Sequence, residues 1–338
     1  MLKNSVKVWK LARDLGITPS ADDVGDIIGY CNRRLRQLLK EFGDCDTLDG
    51  LLECAAAKVG TVFIEIDSDQ TLARVAREYV QRGERMFANL ERELAGEVYG
   101  VTFRLQKRES WEPRYVSIID CRDPKAFRSY FTKWHELAHL LVLTDQSRLS
   151  FARTHDSGSR DPEEALMDVI ASRFGYYAPL IRQHAAGRIS FTEIERIRAR
   201  LCPSASRQSA LLGVVEAWPT ASVLIRAEMA AKRGELQNPN QSEFGFGLAA
   251  SQALRAVRTT ANEAARKVGI HIFPNMRVPE ASVIHEVFDG SRLDGQQSED
   301  LSWWTTSQGR RLPARPIVVE ARLVSESVEA LVTPLNPE

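Results

Sequence analysis

The amino-acid sequence predicts an α+β protein in two parts: a larger domain of helices around a small sheet, then a smaller mixed α/β domain. Three observations lead there. Residues 98–143 read as strand, strand, helix. Amphipathic helical segments stand on both sides of that run. The polar stretch 234-GELQNPNQSEFGFG-247 separates those helices from a series of short apolar runs. The expected limits are 1–200 for the first domain, 201–240 for a helical connector and 241–338 for the last domain.

The first helix spans 22-DDVGDIIGYCNRRLRQLLKE-41, with apolar positions at helical spacing behind an acidic opening pair. A second covers 47–58, and after the break at Gly60 the run TVFIEID is a short strand. Residues 69–95 carry charges of alternating sign and predict one long helix with a solvated face. The runs VYGVTFRL and RYVSIID follow as strands on either side of the polar loop QKRESWEP. Asp123-Pro124 opens a helix that continues through 135-HELAHLLVL-143. The stretch 144-TDQSRLSFARTHDSGSR-160 is rich in loop residues, with room for a hairpin. Another helix, DPEEALMDVIASRFGYY, starts at Asp161-Pro162 and ends near Pro179. Three further helical segments are expected between 191 and 233, broken at Cys202-Pro203 and Trp218-Pro219. Past the linker, LRAVRTT, GIHIF, ASVIHEVF, PIVVEARLV and SVEALVTPL make up the small α/β domain, with His271 and His285 in strand-like runs.

At 338 residues, 43% hydrophobic and 27% charged, the chain has the composition of an ordinary globular protein. No apolar run approaches the ~18 residues of a membrane helix, and the opening lacks a signal-peptide core, so a cytoplasmic protein with no membrane partner is expected. Five cysteines without a CxxC pair fit a reducing compartment; Cys31, Cys45, Cys54 and Cys202 read as packing. Net charge is zero, and residues 205–338 hold 14 Lys/Arg against 15 Asp/Glu. Any nucleic-acid contact therefore needs a local patch.

Chemistry concentrates in 134-WHELAHLLV-142. Residues i and i+4 share one helix face, so His135 and His139 can aim imidazole nitrogens at one ion. Zinc takes such ligands at about 2.0–2.1 Å and keeps positions for a third ligand and a water. Glu136 lies beside them as general base for that water. The third ligand is expected from 163-EEALMD-168: Glu164 as ligand, with Asp168 on the same face accepting the other N–H of a bound histidine. His155 is a rival ligand. Cys121, closing the strand RYVSIID, is a candidate removable fourth ligand, since a thiolate in the water position would silence the site; a small buried strand residue is the plain alternative. Tyr176 and Tyr177 offer hydroxyls to an oxyanion, with helix-end packing the favoured reading.

With Phe131 and Thr132 leading into His135, Glu136 and His139, and Glu164 and Ala171 on the next helix, the chain resembles the ImmA/IrrE family of zinc metallopeptidases. The resemblance covers about 45–180 and extends more weakly to 233; the insertion between His139 and Glu164 is longer than the family pattern. It implies a zincin-like first domain, a gluzincin-like ligand set with Zn2+ as cofactor, and a GAF-like C-terminal sensor domain. It further implies cleavage of a helix-turn-helix transcriptional repressor under stress. The order of the parts resembles the radiation-response and anti-phage branches, including that of CBASS operons, which implies single-stranded DNA as activator.

In the last domain Trp303 and Trp304, with Arg310, Arg311 and Arg315, are the candidate nucleic-acid contact, set against an ordinary core with a solvated loop. A second reading stays open: a non-catalytic DNA- or ligand-binding regulator on a peptidase scaffold with a structural metal. Its support is 191-FTEIERIRARLCPSASRQSALLGVV-215, a helix-turn-helix-like pair. Glu136 discriminates, because a structural metal has no use for an adjacent base.

Overall fold

The computed structural model describes residues 5–18, 20–42, 45–143, 150–154, 161–231, 252–306 and 308–336. They form an α+β protein with two sheets, divided into two compact units. One holds Met1–Leu180 and Arg198–Ala210, the other Ile181–Ile197 and Leu211–Glu338. This differs from the expected limits at 200 and 240: there is no separate helical connector among the described residues, because Val223–Ala231 is a strand of the second sheet. The expected linker 234–247 lies outside the described residues.

The first unit begins with helices α1 (Val6–Asp14), α2 (Asp23–Phe42) and α3 (Leu48–Val59). Thr47 caps α3 by accepting a hydrogen bond from Gly50 N, and Gly60 ends it at φ 77°, a left-handed turn that glycine makes without a Cβ clash. Strand β1 (Thr61–Ile66) leads to α4 (Asp69–Gln81), a short 3-10 turn at Arg85–Asn89 and α5 (Leu90–Glu93). The single helix expected over 69–95 is thus broken, and Gly83 at φ 90° is the breaking residue. Next come β2 (Val98–Arg104), β3 (Tyr115–Asp120), α6 (Ser129–Leu141), β4 (Ser150–Thr154) and α7 (Pro162–Gly175). A 3-10 turn at Lys125–Arg128 precedes α6, so that helix starts later than Asp123-Pro124 suggests. Helix α7 stops at Gly175, and Pro179 lies inside α8 (Ala178–His184).

The first sheet has the order β1-β3-β2-β4, with β1 parallel to β3 and the other pairs antiparallel. Strand alternation gives it two unlike faces. Val101 and Phe103 of β2 and Val116 and Ile118 of β3 join Leu72, Val75, Phe87 and Leu90 in one apolar cluster. The intervening Gly100, Thr102 and Ser117 face α6 and are small or hydroxylic. Apolar side chains fill one side of the sheet, and α6 lies on the other.

Helices α9 (Phe191–Leu201) and α10 (Arg207–Ala217) come next. The second sheet is antiparallel, in the order β6-β5-β9-β8-β7. Its strands are β5 (Val223–Ala231), β6 (Gln252–Ala261), β7 (Asp294–Asp300), β8 (Pro316–Val324) and β9 (Ser327–Pro334). Two short helices, α11 (Glu263–Lys267) and α12 (Val283–Phe288), complete it, and Ile225, Ile284, Val319, Val332 and Trp304 are fully buried in its core. Three sequence readings change here. The third helical segment before 233 is β5; GIHIF forms no strand; and ASVIHEVF contributes α12, with His285 on a helix. Strand β7, DGQQSED, has no apolar alternation and is held at the sheet edge by pairing with β8.

Candidate metal centre

Helix α6 carries His135 and His139 one turn apart, both buried. Its position is set from several sides. Arg34 Nη1 donates to the Leu141 carbonyl at 2.5 Å, occupying an end carbonyl of the helix. Tyr130 donates its hydroxyl to the Gly175 carbonyl at 2.5 Å, tying α6 to α7. Gly175 also permits the close approach, for a Cβ there would stand 3.1 Å from Trp134 Cδ1.

Helix α7 starts where Asp161 accepts from Glu163 N at 2.9 Å, with Pro162 in the first turn. Glu164 follows in that turn, where the helix dipole favours a carboxylate. Its Oε2 lies 3.1 Å from His135 Nε2 and its Oε1 3.4 Å from His139 Nε2. One ligand atom from each of the three lies within 4.8 Å of the others, so His135, His139 and Glu164 form a group able to hold a metal ion. Two ligands about 2.0–2.1 Å from a tetrahedral zinc stand roughly 3.3 Å apart, a spacing the two histidine–glutamate distances bracket. Burial pushes the Glu164 carboxyl up, but the hydrogen bonds and charge of His139 and His135 outweigh it and hold the group well below the usual carboxylate range. Asp168 Oδ1 lies 3.0 Å from His135 Nδ1, so a hydrogen bond there fixes the ring and leaves Nε2 as the atom available to a metal.

Glu136 is wholly buried between α6 and the sheet. Burial pushes its carboxyl up, opposed by the two neighbouring imidazoles. Thr102 of β2 donates to its Oε2 at 2.8 Å. The Thr102 hydroxyl is 2.7 Å from that of Ser117 on β3, which is 3.1 Å from that of Thr61 on β1. Three strands thus supply a buried hydroxyl chain that ends on one carboxylate oxygen. Oε1 has no hydrogen-bond partner among the described residues. Gly100 makes room for this arrangement: a Cβ there would meet Thr132 Cγ2 at 2.7 Å and Glu136 Oε1 at 3.0 Å. The sequence reading missed Thr61, Gly100, Thr102 and Ser117. The signal was the spacing of Gly100 and Thr102, small and hydroxylic residues two apart in an otherwise apolar strand.

The remaining candidates fall elsewhere. Cys121 stands outside the metal-competent group, with burial and then Glu65 pushing its thiol up to about 11. His155 lies outside the described residues. Tyr176 and Tyr177 are buried, and Tyr176 donates to Ser209 Oγ at 2.6 Å rather than to the site. Trp304 is fully buried and offers no stacking face, which removes it from the nucleic-acid candidates; Trp303, Arg310 and Arg311 are exposed. Helices α9 and α10 do follow one another across a short turn, but Leu211, Gly213, Val214, Val215 and Ala217 are buried. That leaves α10 without the broad solvent face a recognition helix needs.

No protein-family model matches the chain, and no curated protein matches it. Among the described residues no helix is long and apolar enough to cross a membrane.

Proposed function

We propose that the protein is a regulatory zinc metallopeptidase of ImmA/IrrE type. The observation that carries the proposal is the convergence of His135, His139 and Glu164 beside a buried, hydroxyl-anchored Glu136. Two histidines and a glutamate are a zinc donor set of the catalytic kind. Bound zinc supplies an acidified water and a polarised carbonyl. Glu136 would take up a proton at Oε1 while Thr102 holds Oε2, and would hand it to the leaving amine. Asp168 orients His135. Strand β4 pairs with β2 on one side only among the described residues, and such an edge gives an extended peptide a backbone to pair with.

The substrate in this proposal is a helix-turn-helix repressor in a DNA-damage or anti-phage response, and the second unit is a GAF-like sensor with single-stranded DNA as activator. Exposed Trp303 supplies a stacking surface and Arg310 and Arg311 supply charge. Backbone bridges Arg255–Arg277, Arg277–Thr305 and Thr305–Arg311 line up further arginines beside them. The test is metal analysis of the purified protein, followed by incubation with a repressor encoded next to it. Stoichiometric zinc, lost in His139→Ala, and cleavage lost in metal-loaded Glu136→Gln are expected. Cleavage that survives Glu136→Gln, or protein that takes up no transition metal, overturns the proposal.

A further inference from the structure

Outside the candidate metal centre, two thiols meet at the start of α3. Cys45 precedes the Thr47 cap and Cys54 sits inside the helix, nine positions on. Sequence pattern assigned both to packing, yet their Sγ atoms are 2.9 Å apart. That is within about 1 Å of a covalent S–S bond of roughly 2.05 Å. Local structure accounts for the encounter. Thr47 leaves the helix with extended geometry, φ −130° and ψ 157°, and the Sγ contact places Cys45 beside the turn of α3 that carries Cys54. The two thiols differ in access: Cys45 is buried, whereas Cys54 is partly exposed. The other cysteines are poorly placed for oxidation. Burial pushes Cys31 and Cys202 up to about 12, and Cys121 up to about 11, which withholds the reactive thiolate.

We propose that Cys45 and Cys54 are a redox-active dithiol that closes to an intramolecular disulfide when a hydroperoxide is the oxidant. The Cys54 sulfur attacks a peroxide oxygen; the O–O bond breaks, water leaves from hydrogen peroxide, and Cys54 becomes a sulfenic acid. Cys45 then attacks that sulfur; the S–S bond forms, the S–O bond breaks and a second water leaves. Two thiols lose two electrons and two protons, and one peroxide becomes two waters. Helix α3 lies against α6 and β1, so the cross-link anchors the helix that backs the metal-bearing one. The dithiol stands whether or not the metal centre cleaves peptides.

Full-length, metal-loaded protein treated with hydrogen peroxide, quenched with catalase and alkylated with N-ethylmaleimide tests this by peptide mass mapping. The expected product is a Cys45–Cys54 linked peptide lacking about 2 Da, one hydrogen per thiol, and restored by dithiothreitol. Cys31 and Cys202 become alkylated only on unfolding. In Cys54→Ser no internal link forms and Cys45 stays a thiol. Peroxide that carries Cys54 to a sulfinic acid with Cys45 still a thiol, or a link to any other cysteine, overturns the proposal. Wild-type mapping decides the matter even if the variant does not fold.

Discussion

The two units each bury a glutamate, and the pair look alike locally. Glu136 accepts from Thr102 Oγ1 at 2.8 Å, and Glu299 accepts from Ser282 Oγ at 2.9 Å and Val283 N at 3.0 Å. In both, the second carboxylate oxygen is buried with no hydrogen-bond partner among the described residues. Burial is the leading cause pushing each carboxyl up, Glu299 to about 7. The difference lies in their company. Glu136 has two imidazoles and Glu164 beside it, whereas Glu299 caps the short helix α12 and has Glu286 as its charged neighbour. A raised, half-satisfied carboxyl is thus a candidate for chemistry only where complementary groups converge on it, as they do around Glu136 and not around Glu299.

Substitutions at these two glutamates separate the roles. The largest expected effect is on chemistry: metal-loaded Glu136→Gln should lose about 10²–10⁴-fold in cleavage rate, read against metal content that stays at the wild-type level. Next is a pH effect on the second unit. Burial pushes the Glu299 carboxyl from its ordinary value of 4.5 up to about 7, so the folded state holds its proton longer. Its contribution is most favourable below pH 4.5 and declines as pH rises toward 7, by about 3 kcal/mol at most. Denaturant unfolding of wild type and Glu299→Gln at pH 4 and pH 8 should show the variant losing that decline, with metal binding unchanged.

Gly100→Ala should destabilise the first unit by about 1–3 kcal/mol and disturb Glu136, because the new methyl meets Thr132 and the carboxylate. Unchanged unfolding and cleavage would show that the sheet and α6 are not in close contact. The smallest contrast is between the hydroxyl donors. Thr102→Val should lower the cleavage rate about tenfold, at about 1.4 kcal/mol, with Thr102→Ser restoring it. Ser282→Ala should cost about 0.5–2 kcal/mol of stability as a lost helix cap and leave cleavage alone.

Local periodicity made much of this legible. Helical spacing of His135 and His139, strand alternation in VYGVTFRL and RYVSIID, and the Asp161-Pro162 start of α7 are short-range signals carried by a few consecutive residues. The same reasoning failed where neighbours in space override pattern. Polar β7 is a strand because β8 pairs with it, and β5 is a strand rather than a helix because it lies between β6 and β9.

Helical spacing alone sets which residues share a face, so that α6 presents the imidazoles of His135 and His139 side by side, with Glu136 next in sequence to the first. What meets that turn comes from packing between distant elements. Strand register brings Thr102, Ser117 and Thr61 together, helix packing brings Glu164 and Asp168 to His135, and the burial of Trp304 takes it out of reach of any ligand. The physical reason is separation along the chain: Thr102 and Glu136 stand 34 positions apart, a distance no backbone periodicity spans, so only packing selects the partner.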